Sequence, residues 1–568
     1  MIDVSNAKLP LPLFPDPGIR NVDAAGLRQA AAQALGIDAR EVRDVRILKR
    51  SIDARKKNDV HFVATLGVSL EDAAAEAPLC ARNGVKAHVP YEPLAIEPWP
   101  EGARRPVVVG TGPAGLFAAV YLARAGAKPL VVERGQSVEE RQRIVAAFDA
   151  GGPLDPDTNV QFGEGGAGTF SDGKLTNNMK NPRCKHVLRW FVDAGAPKEI
   201  LWEAHPHIGS DRLPQAVRTL RNEIAARGGQ VRFGTRLTGL RLQAGRLAAV
   251  TLRGADGTEY EEPAEALVLA TGHSARDTFE MLRANGFEME RKPFAMGVRI
   301  EHSQADMNRS QWGHAAKSPA LGAAEYKAAV HVGGGRTVHT FCMCPGGRVT
   351  CAASEPGGVV VNGMSDFARD GKNSNAALLV NVDPADFGGD SDDVLAGAKL
   401  QRAIEQRAFQ AARAAGGAPY QAPAQHVGDF LGADAPSHAK SGKAGRHGDA
   451  PVQPTYARGV AWCDLHDVLP AFMTQALEQA LPLLDRRIHG FADARAVMTA
   501  PETRSSSPVR IVRGKQDLQA HVGGPDAPAS GVYPCGEGAG YAGGIMSAAV
   551  DGLRVAEALV RQAQMQAE

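Results

Sequence analysis

The chain has 568 residues, too many for a single hydrophobic core, so two or three domains are expected. A hydrophobic share of 44% and a charged share of 22% exclude a disordered or fibrous chain. The formal net charge of +1 supplies no global field for gripping nucleic acid or an anionic membrane, so neither partner is expected.

The chain opens MIDVSNAKLPLPLFPDPG, without the apolar stretch of a signal peptide, and no run approaches the roughly 20 apolar residues of a bilayer span. A cytoplasmic protein is expected. Residues 1–98 read as a small α+β module: a helix over Ala24 to Leu35, then VRDVRILKRSID and DVHFVATLGVSL as two strands around a charged turn. The basic cluster Lys49, Arg50, Arg55, Lys56 and Lys57 reads as a solvated hairpin turn rather than a phosphate grip. The proline-rich YEPLAIEPWPEGARRP is the linker out of this module.

VVVGTGPAGLFAAVYLARAGAKPLVVERG follows, from Val107 to Gly135. Val107 to Val109 favour a buried strand, and Gly110, Gly112 and Gly115 form G-x-G-x-x-G. The first glycine permits a tight turn, the second a close approach to a pyrophosphate, and the third close helix–strand packing. Pro113 to Ala125 is Ala- and Leu-rich, as a helix whose amino end faces phosphates should be. A second strand, Pro129 to Val132, ends at Glu133, an acid placed to accept from a ribose 2′-hydroxyl and to repel a 2′-phosphate. Strand, turn, helix, strand and acid in register define a dinucleotide site.

From Gly228 to Gly272 short alternating strands form a three-strand meander, closing in a buried strand at Ala266 to Ala270. At the far end, GVYPCGEGAGYAGGIMSAAVDGLRVAEALVRQ reads as a strand, a glycine-rich turn and a long helix. The economical layout is α/β: a Rossmann-like domain over 99–279, a large α+β insertion over 280–500, and a return to the first domain over 501–568. The insertion would be a substrate or cap domain.

Seven scattered cysteines argue against a disulfide framework. Cys342 and Cys344 form C-x-C without a second pair, so they read as two buried thiols on one strand face rather than a metal site. His205 and His207 are likewise incomplete as ligands, and no metal is expected.

The first motif, ALVLATG and GVYPCGEGAGYAGGI together resemble the FAD-binding domain of glutathione-reductase-type flavoproteins. QFGEGGAGTFSDGKLTN, RKPFAMGVRIEH, FCMCPGGRV, VNGMSDFARD and ETRSSSPVRI resemble, more closely, the bacterial family of uncharacterised FAD-dependent dehydrogenases. That resemblance covers almost the whole chain. It implies FAD as cofactor, with Gly110, Gly112, Pro113, Ala114 and Gly115 at its pyrophosphate and Glu133 at its ribose. Thr111 in the first turn and Thr271-Gly272 after the ALVLATG strand belong to the same expected site. Arg134 would lie beside the adenine, whose edge the main chain at Leu237 would read. Gly536 and Glu537 fall where the superfamily has Gly-Asp at the ribityl chain; the longer Glu is a departure. Gly543, Gly544 and Ile545 would border the flavin ring, and the glycine-rich loop 162–173, with Gly165 and Gly166, would touch it.

The function implied is an FAD-dependent oxidoreductase moving hydride between non-covalently bound flavin and a small molecule. Arg299, His273, His339 and Arg504 are polar candidates near the reaction, without an assigned catalytic role. Two alternatives stand beside it: a flavin-dependent RNA-modifying enzyme and a non-catalytic redox sensor. A thiol–disulfide reductase is disfavoured, because the first cysteine after Gly115 is the solitary Cys184. NAD(P)H is a candidate reductant, although no second G-x-G-x-x-G marks a site for it.

Overall fold

The computed structural model describes every residue except 18–20, 177–178, 389–391, 433–451 and 524–528. Asn177, which ends the QFGEGGAGTFSDGKLTN motif, lies outside the described residues.

The amino-terminal elements are β1 (Ile2–Leu9), α1 (Ala24–Leu35), β2 (Val42–Asp53), β3 (His61–Leu70) and β4 (Val85–Ala87). Their four strands form an antiparallel sheet in the order β2-β3-β1-β4. Asp23 caps α1 by accepting from the N–H groups of Ala25 and Gly26, at 3.1 and 3.0 Å. Helix and hairpin match the sequence reading; β1 and β4 add to it. Lys49, Arg55, Lys56 and Lys57 are exposed, as a solvated turn requires, and Arg50 is the exception. Arg50 is only 4% exposed, lies over the rings of Phe14 and Phe62, and donates from Nε to Glu203 at 3.0 Å. Lys57 donates to the Gln311 carbonyl, and Arg55 pairs with Asp53. Burial and these partners turn part of the cluster into the seam between the first sheet and the rest.

Next come β5 (Val107–Val109), α2 (Pro113–Arg124), β6 (Leu130–Val132), β7 (Gln230–Arg232), β8 (Arg236–Gln243), β9 (Arg246–Arg253), β10 (Glu259–Pro263) and β11 (Leu267–Leu269). β5, β6 and β11 are buried throughout, as strands covered on both faces must be. β8, β9 and β10 form the expected meander, while β7 joins the parallel sheet beside β6.

α3 (Arg276–Ala284) and β12 (Met289–Arg291) lead into a second large sheet. It is built from β13 (Phe294–Ser303), β14 (Ala329–His331), β15 (Thr337–Cys344), β18 (Asn373–Val382), β19 (Ala422–His426), β20 (Val460–Trp462) and β21 (Val497–Glu502). The hairpin β16 (Arg348–Cys351) and β17 (Val361–Met364) and the helix α4 (Ala396–Ala414) lie within the same stretch. Strand order is β14-β15-β18-β13-β21-β19-β20, antiparallel except for β19 with β20.

The chain then returns through β22 (Val509–Ile511), which pairs with β12, to β23 (Val532–Pro534) and α5 (Ile545–Ala567). β23 completes a five-stranded parallel sheet, β23-β11-β5-β6-β7. Among the described residues no helix is long and apolar enough to cross a membrane.

Two glycines let this sheet and its helices close up. A Cβ at Gly115 would lie 1.9 Å from the Gly110 carbonyl oxygen, so α2 seats directly on the turn. A Cβ at Gly552 would lie 2.1 Å from the Ala114 carbonyl oxygen, so α5 crosses α2 with backbones in contact. Gly552→Ala must push these helices apart, at an overpacking cost of about 1–3 kcal/mol. Its thermal unfolding midpoint is therefore expected below that of the wild type; an equal midpoint would mean that the crossing has slack.

Candidate functional site

A cleft with about 1540 Å³ of open space runs across the carboxyl ends of β5 and β11 and under the edge of the second large sheet. On the parallel-sheet side it is lined by Gly110, Gly112, Pro113, Ala114, Glu133, Arg134, Gly166, Leu237, Thr271 and Gly272, and by Glu537, Gly543, Gly544 and Ile545. Fourteen of the site residues expected from sequence thus converge on one space.

Four others stand behind its wall. Thr111 donates to Glu133 through both its N–H, at 2.9 Å, and its hydroxyl, at 2.7 Å. Gly115 is spent on the helix–turn contact. The backbone N–H of Gly165 donates to the Thr111 carbonyl at 3.0 Å, and a Cβ there would strike the Thr169 hydroxyl. The N–H of Gly536 donates to Asp551 at 2.8 Å, and its missing Cβ makes room for Ala114.

The glycine-rich loop is pinned, not floppy. Arg141, fully buried, donates to the carbonyls of Asn159, Val160, Gly163, Glu164 and Gly166, at 2.7 to 3.2 Å. Burial draws its guanidinium down to about 10, partly offset by the charges of Glu133 and Glu164. Glu133 holds the same loop from the other side. One carboxylate oxygen takes both Thr111 donors, and the other accepts from the N–H groups of Gly135 and Gly163 at 3.0 and 3.1 Å. Arg134 lies 4.4 Å from the Phe162 ring and donates to Asp277 at 3.0 Å.

The amino end of α2 begins at Gly112-Pro113 without a side-chain cap, so its first N–H groups face the cleft. α5 begins likewise at Gly544, where the Ser547 hydroxyl accepts from Gly543 N–H at 3.1 Å. A Cβ built on Gly272, Gly543 or Gly544 meets nothing within 4 Å, and at Gly112 only the Gly166 Cα at 3.8 Å. Bare backbone therefore faces open space at Gly112, Gly272, Gly543 and Gly544.

The opposite wall comes largely from residues the sequence reading did not single out: Lys174, Phe341, Asn362, Gly363, Glu502 and Ser505. Each belongs to, or directly adjoins, a motif quoted above, which was the available signal. Among the four polar candidates, His273 and Arg504 line the cleft, whereas Arg299 and His339 do not. His339 stands on β15, where its backbone pairs with Ala329 and Leu379. Arg299 is fully buried one layer back, donating to Glu502 at 2.7 and 3.2 Å, Asn362 at 2.8 Å, Asn375 at 3.0 Å and the Cys342 carbonyl at 2.8 Å.

That last bond explains a correction. Cys342 and Cys344 do not form a pair of buried thiols on an ordinary strand face, because β15 bulges between Phe341 and Cys344 and Cys342 sits at φ 39°. Cys342 opens onto the cleft while Cys344 is buried. Enclosure by protein pushes the two thiols up, to about 12 and about 11, against the opposing pull of Arg299. Both stay neutral near pH 7. Among the described residues no group of acids, His and Cys is arranged to hold a metal ion.

Glu537 is 29% exposed, opening only into the cleft, with Oε1 3.7 Å from His273 Nδ1. Burial pushes its carboxyl up to about 7, with Lys292 pulling the other way. Burial first, then the charges of Arg504 and Arg276, lower His273 to about 3 and keep it neutral.

A parallel sheet, a glycine turn opening a helix, an acid on the neighbouring strand and a bare backbone trough define the dinucleotide cleft of a flavoprotein. The comparisons agree. Residues 104–344 match a family described as pyridine nucleotide-disulphide oxidoreductase, and residues 293–505 one described as FAD-dependent protein, C-terminal domain-like. Residues 1–69 match a domain of unknown function. An uncharacterized protein of Clostridium beijerinckii is 43% identical over 94% of this chain and 96% of its own length. Aklavinone 12-hydroxylase of Streptomyces purpurascens is 31% identical over 29% of this chain and 32% of its own length. A solved triple mutant of the flavin-dependent brominase Bmp2 is similar at 11% identity and TM-score 0.35, covering 81% of each chain. The chain belongs to the family of FAD-dependent proteins that includes the Clostridium protein, and its cofactor is FAD.

Two outcomes check the geometry. Glu133→Ala strands four donors, and each lost bond to a charged group is worth about 1.5–3 kcal/mol. It is expected to weaken FAD binding about tenfold or more and also to lower the unfolding midpoint of FAD-free protein. Weaker FAD with an unchanged midpoint would mean that the carboxylate serves the cofactor alone. For Glu537, the folded state keeps its proton up to about 7, whereas an ordinary glutamate releases it near 4.5. Folding therefore takes up a proton in that window, and stability falls as pH rises through it. In FAD-free protein the midpoint of Glu537→Gln, relative to wild type, should climb between those pH values; a flat difference would contradict the shift.

Proposed function

We propose that this FAD-dependent oxidoreductase moves a hydride between non-covalently held FAD and a small molecule bound against the second large sheet. The observation that carries the reading is the cleft itself. Its bare backbone trough suits an extended dinucleotide, and it continues past Gly543 and Gly544 to a wall of polar side chains from the inserted strands. When bound, FAD supplies the two-electron chemistry; the protein supplies position and field.

The residues divide accordingly. The α2 amino end and Gly110–Ala114 hold the diphosphate, Glu133 and Arg134 the adenosine, and Gly543–Ile545 the ring edge. Phe341, Asn362, Ser505 and His273 border the second compartment. We assign the thiols no redox role: Cys342 opens onto the cleft while Cys344 is buried. The RNA-modifying alternative is left with a small patch, because Arg50 is buried against Glu203 and Lys57 donates to the Gln311 carbonyl.

Purified protein is expected to be yellow and to release FAD, not FMN, on heat or acid treatment. Anaerobic dithionite titration should consume one two-electron equivalent per FAD, in wild type and in Cys342→Ser/Cys344→Ser alike. An additional equivalent lost in the double variant would bring the thiols into the reaction. NADH and NADPH are the first reductants to try, and reduction by either in the absence of a second substrate would identify the physiological donor class.

A further inference from the structure

Asn362, on β17, is held so that only one end of its amide is free. Its Oδ1 accepts from Arg299 Nη2 and from the N–H of Gly363, both at 2.8 Å. A guanidinium has donors and no acceptors, so it fixes which end of the amide is the oxygen. Nδ2, with two N–H donors, is left over. No group among the described residues accepts from it, and it is not shut in as the unpartnered atoms of the interior are. Asn362 lines the cleft, and there an acceptor can reach these donors.

The amide cannot turn over. Arg299 is fully buried, with Glu502, Asn375 and the Cys342 carbonyl on its other donors. The packing is close: a Cβ at Gly363 would lie 2.4 Å from Arg299 Nη1 and 2.2 Å from Asn375 Oδ1. An inverted amide would set N–H against N–H at both Arg299 and Gly363.

A second donor stands on the same wall. Lys174 lines the cleft with its side chain 23% exposed, and a backbone bridge to His207 fixes its place. It donates to the Met343 carbonyl, next in the chain to the Cys342 carbonyl that Arg299 holds. The carboxylates of this wall are spent, Glu502 on Arg299, and Asp172 on Arg369 and Ser365. The Ser505 hydroxyl gives its proton to the Ala295 carbonyl at 2.5 Å and is left only to accept. Lys174 has Glu325 at 3.6 Å and Arg299 has Glu502, so neither cation calls for a further anion.

Resting on the oxidoreductase reading above, we propose that Asn362 orients the substrate by donating from Nδ2 to an uncharged carbonyl oxygen, with Lys174 as the second donor. The substrate is then a carbonyl compound, and Phe341 in the same lining offers an apolar face to the rest of it.

The test uses FAD-loaded protein, with occupancy fixed by its visible absorbance. Acetophenone, which only accepts, and benzamidine, which has a similar shape and only donates, are titrated in, following binding heat and the flavin spectrum. Wild type is expected to bind acetophenone about tenfold or more tightly than benzamidine, because the wrong polarity leaves donors facing donors. Asn362→Asp keeps one oxygen on Arg299 and puts a second where Nδ2 was, so the order of the two probes should reverse. Slack or misfolded protein would lose both probes alike, so a reversal is a readout that a merely structural role does not give. Lys174→Met should weaken acetophenone binding severalfold. Loaded wild type that binds neither probe, or prefers benzamidine, would overturn the proposal, and so would an unchanged order in Asn362→Asp. Loss of FAD affinity in Asn362→Asp with acetophenone binding intact in the loaded fraction would also overturn it, assigning the donor to the cofactor. Wild type that takes up no FAD would sink the oxidoreductase reading and this proposal with it.

Discussion

The cleft depends on one buried carboxylate. Glu405, on α4, accepts from Arg276 at 3.0 and 3.1 Å, from Arg504 at 2.7 and 2.9 Å, and from the Thr503 hydroxyl at 2.7 Å. Burial alone would raise its carboxyl, but the charges of Arg504 and Arg276 overcome this and hold it at about 2. Arg276 begins α3, where the chain leaves the parallel sheet, and Arg504 follows β21, where it starts back. One side chain thus fixes departure and return against each other. Removing one partner of a buried ion pair costs about 3–5 kcal/mol, whereas replacing a whole pair by apolar groups is often neutral. The knot's contribution is therefore position rather than net stability: it sets the distance between the two walls.

The same device recurs at smaller scale. Arg141 organises the loop from Asn159 to Gly166 by filling it with donors, and Glu133 ties that loop to the G-x-G-x-x-G turn. Arg299, bound by Glu502, Asn362 and Asn375, holds the Cys342 carbonyl in a bulge that an L-residue does not adopt readily. In each case a fully buried charge is satisfied by several partners and shapes irregular backbone around the space. Irregular backbone of this kind needs such support, because its polar groups have no ladder to join.

This explains what was legible in the sequence. β5, α2, β6 and α5 were readable because β-branched runs and glycine spacing encode them locally. Even the three-residue β23 could be placed, since a glycine turn and a long helix follow it. β1 was missed because its bulge at Asn6, with φ 60°, breaks the alternation that marks a strand. The second wall was missed for a different reason. Which face Glu502 presents depends on register against β13, more than a hundred residues away. The alternation rule failed at Cys342 because a buried arginine, itself far off in sequence, bends the strand there. Arg299 and His339 looked alike as polar candidates, and only packing places the Arg299 guanidinium behind the wall and leaves His339 on β15 outside it.

The electrostatics of the cleft follow from the same construction. Two helices, α2 and α5, open onto it without side-chain caps, and each amino end presents roughly half a positive charge. Opposing acids are disarmed by different means: Glu133 by four donors, Glu502 by Arg299, and Glu537 by retaining its proton up to about 7. The thiols stay neutral, and so does His273. The two helix ends therefore favour negative charge where they open onto the cleft. An FAD diphosphate answers that field at one end. A helix amino end favours an anion over a neutral group, so the same bare backbone that leaves the trough open also sets its preference for negative charge.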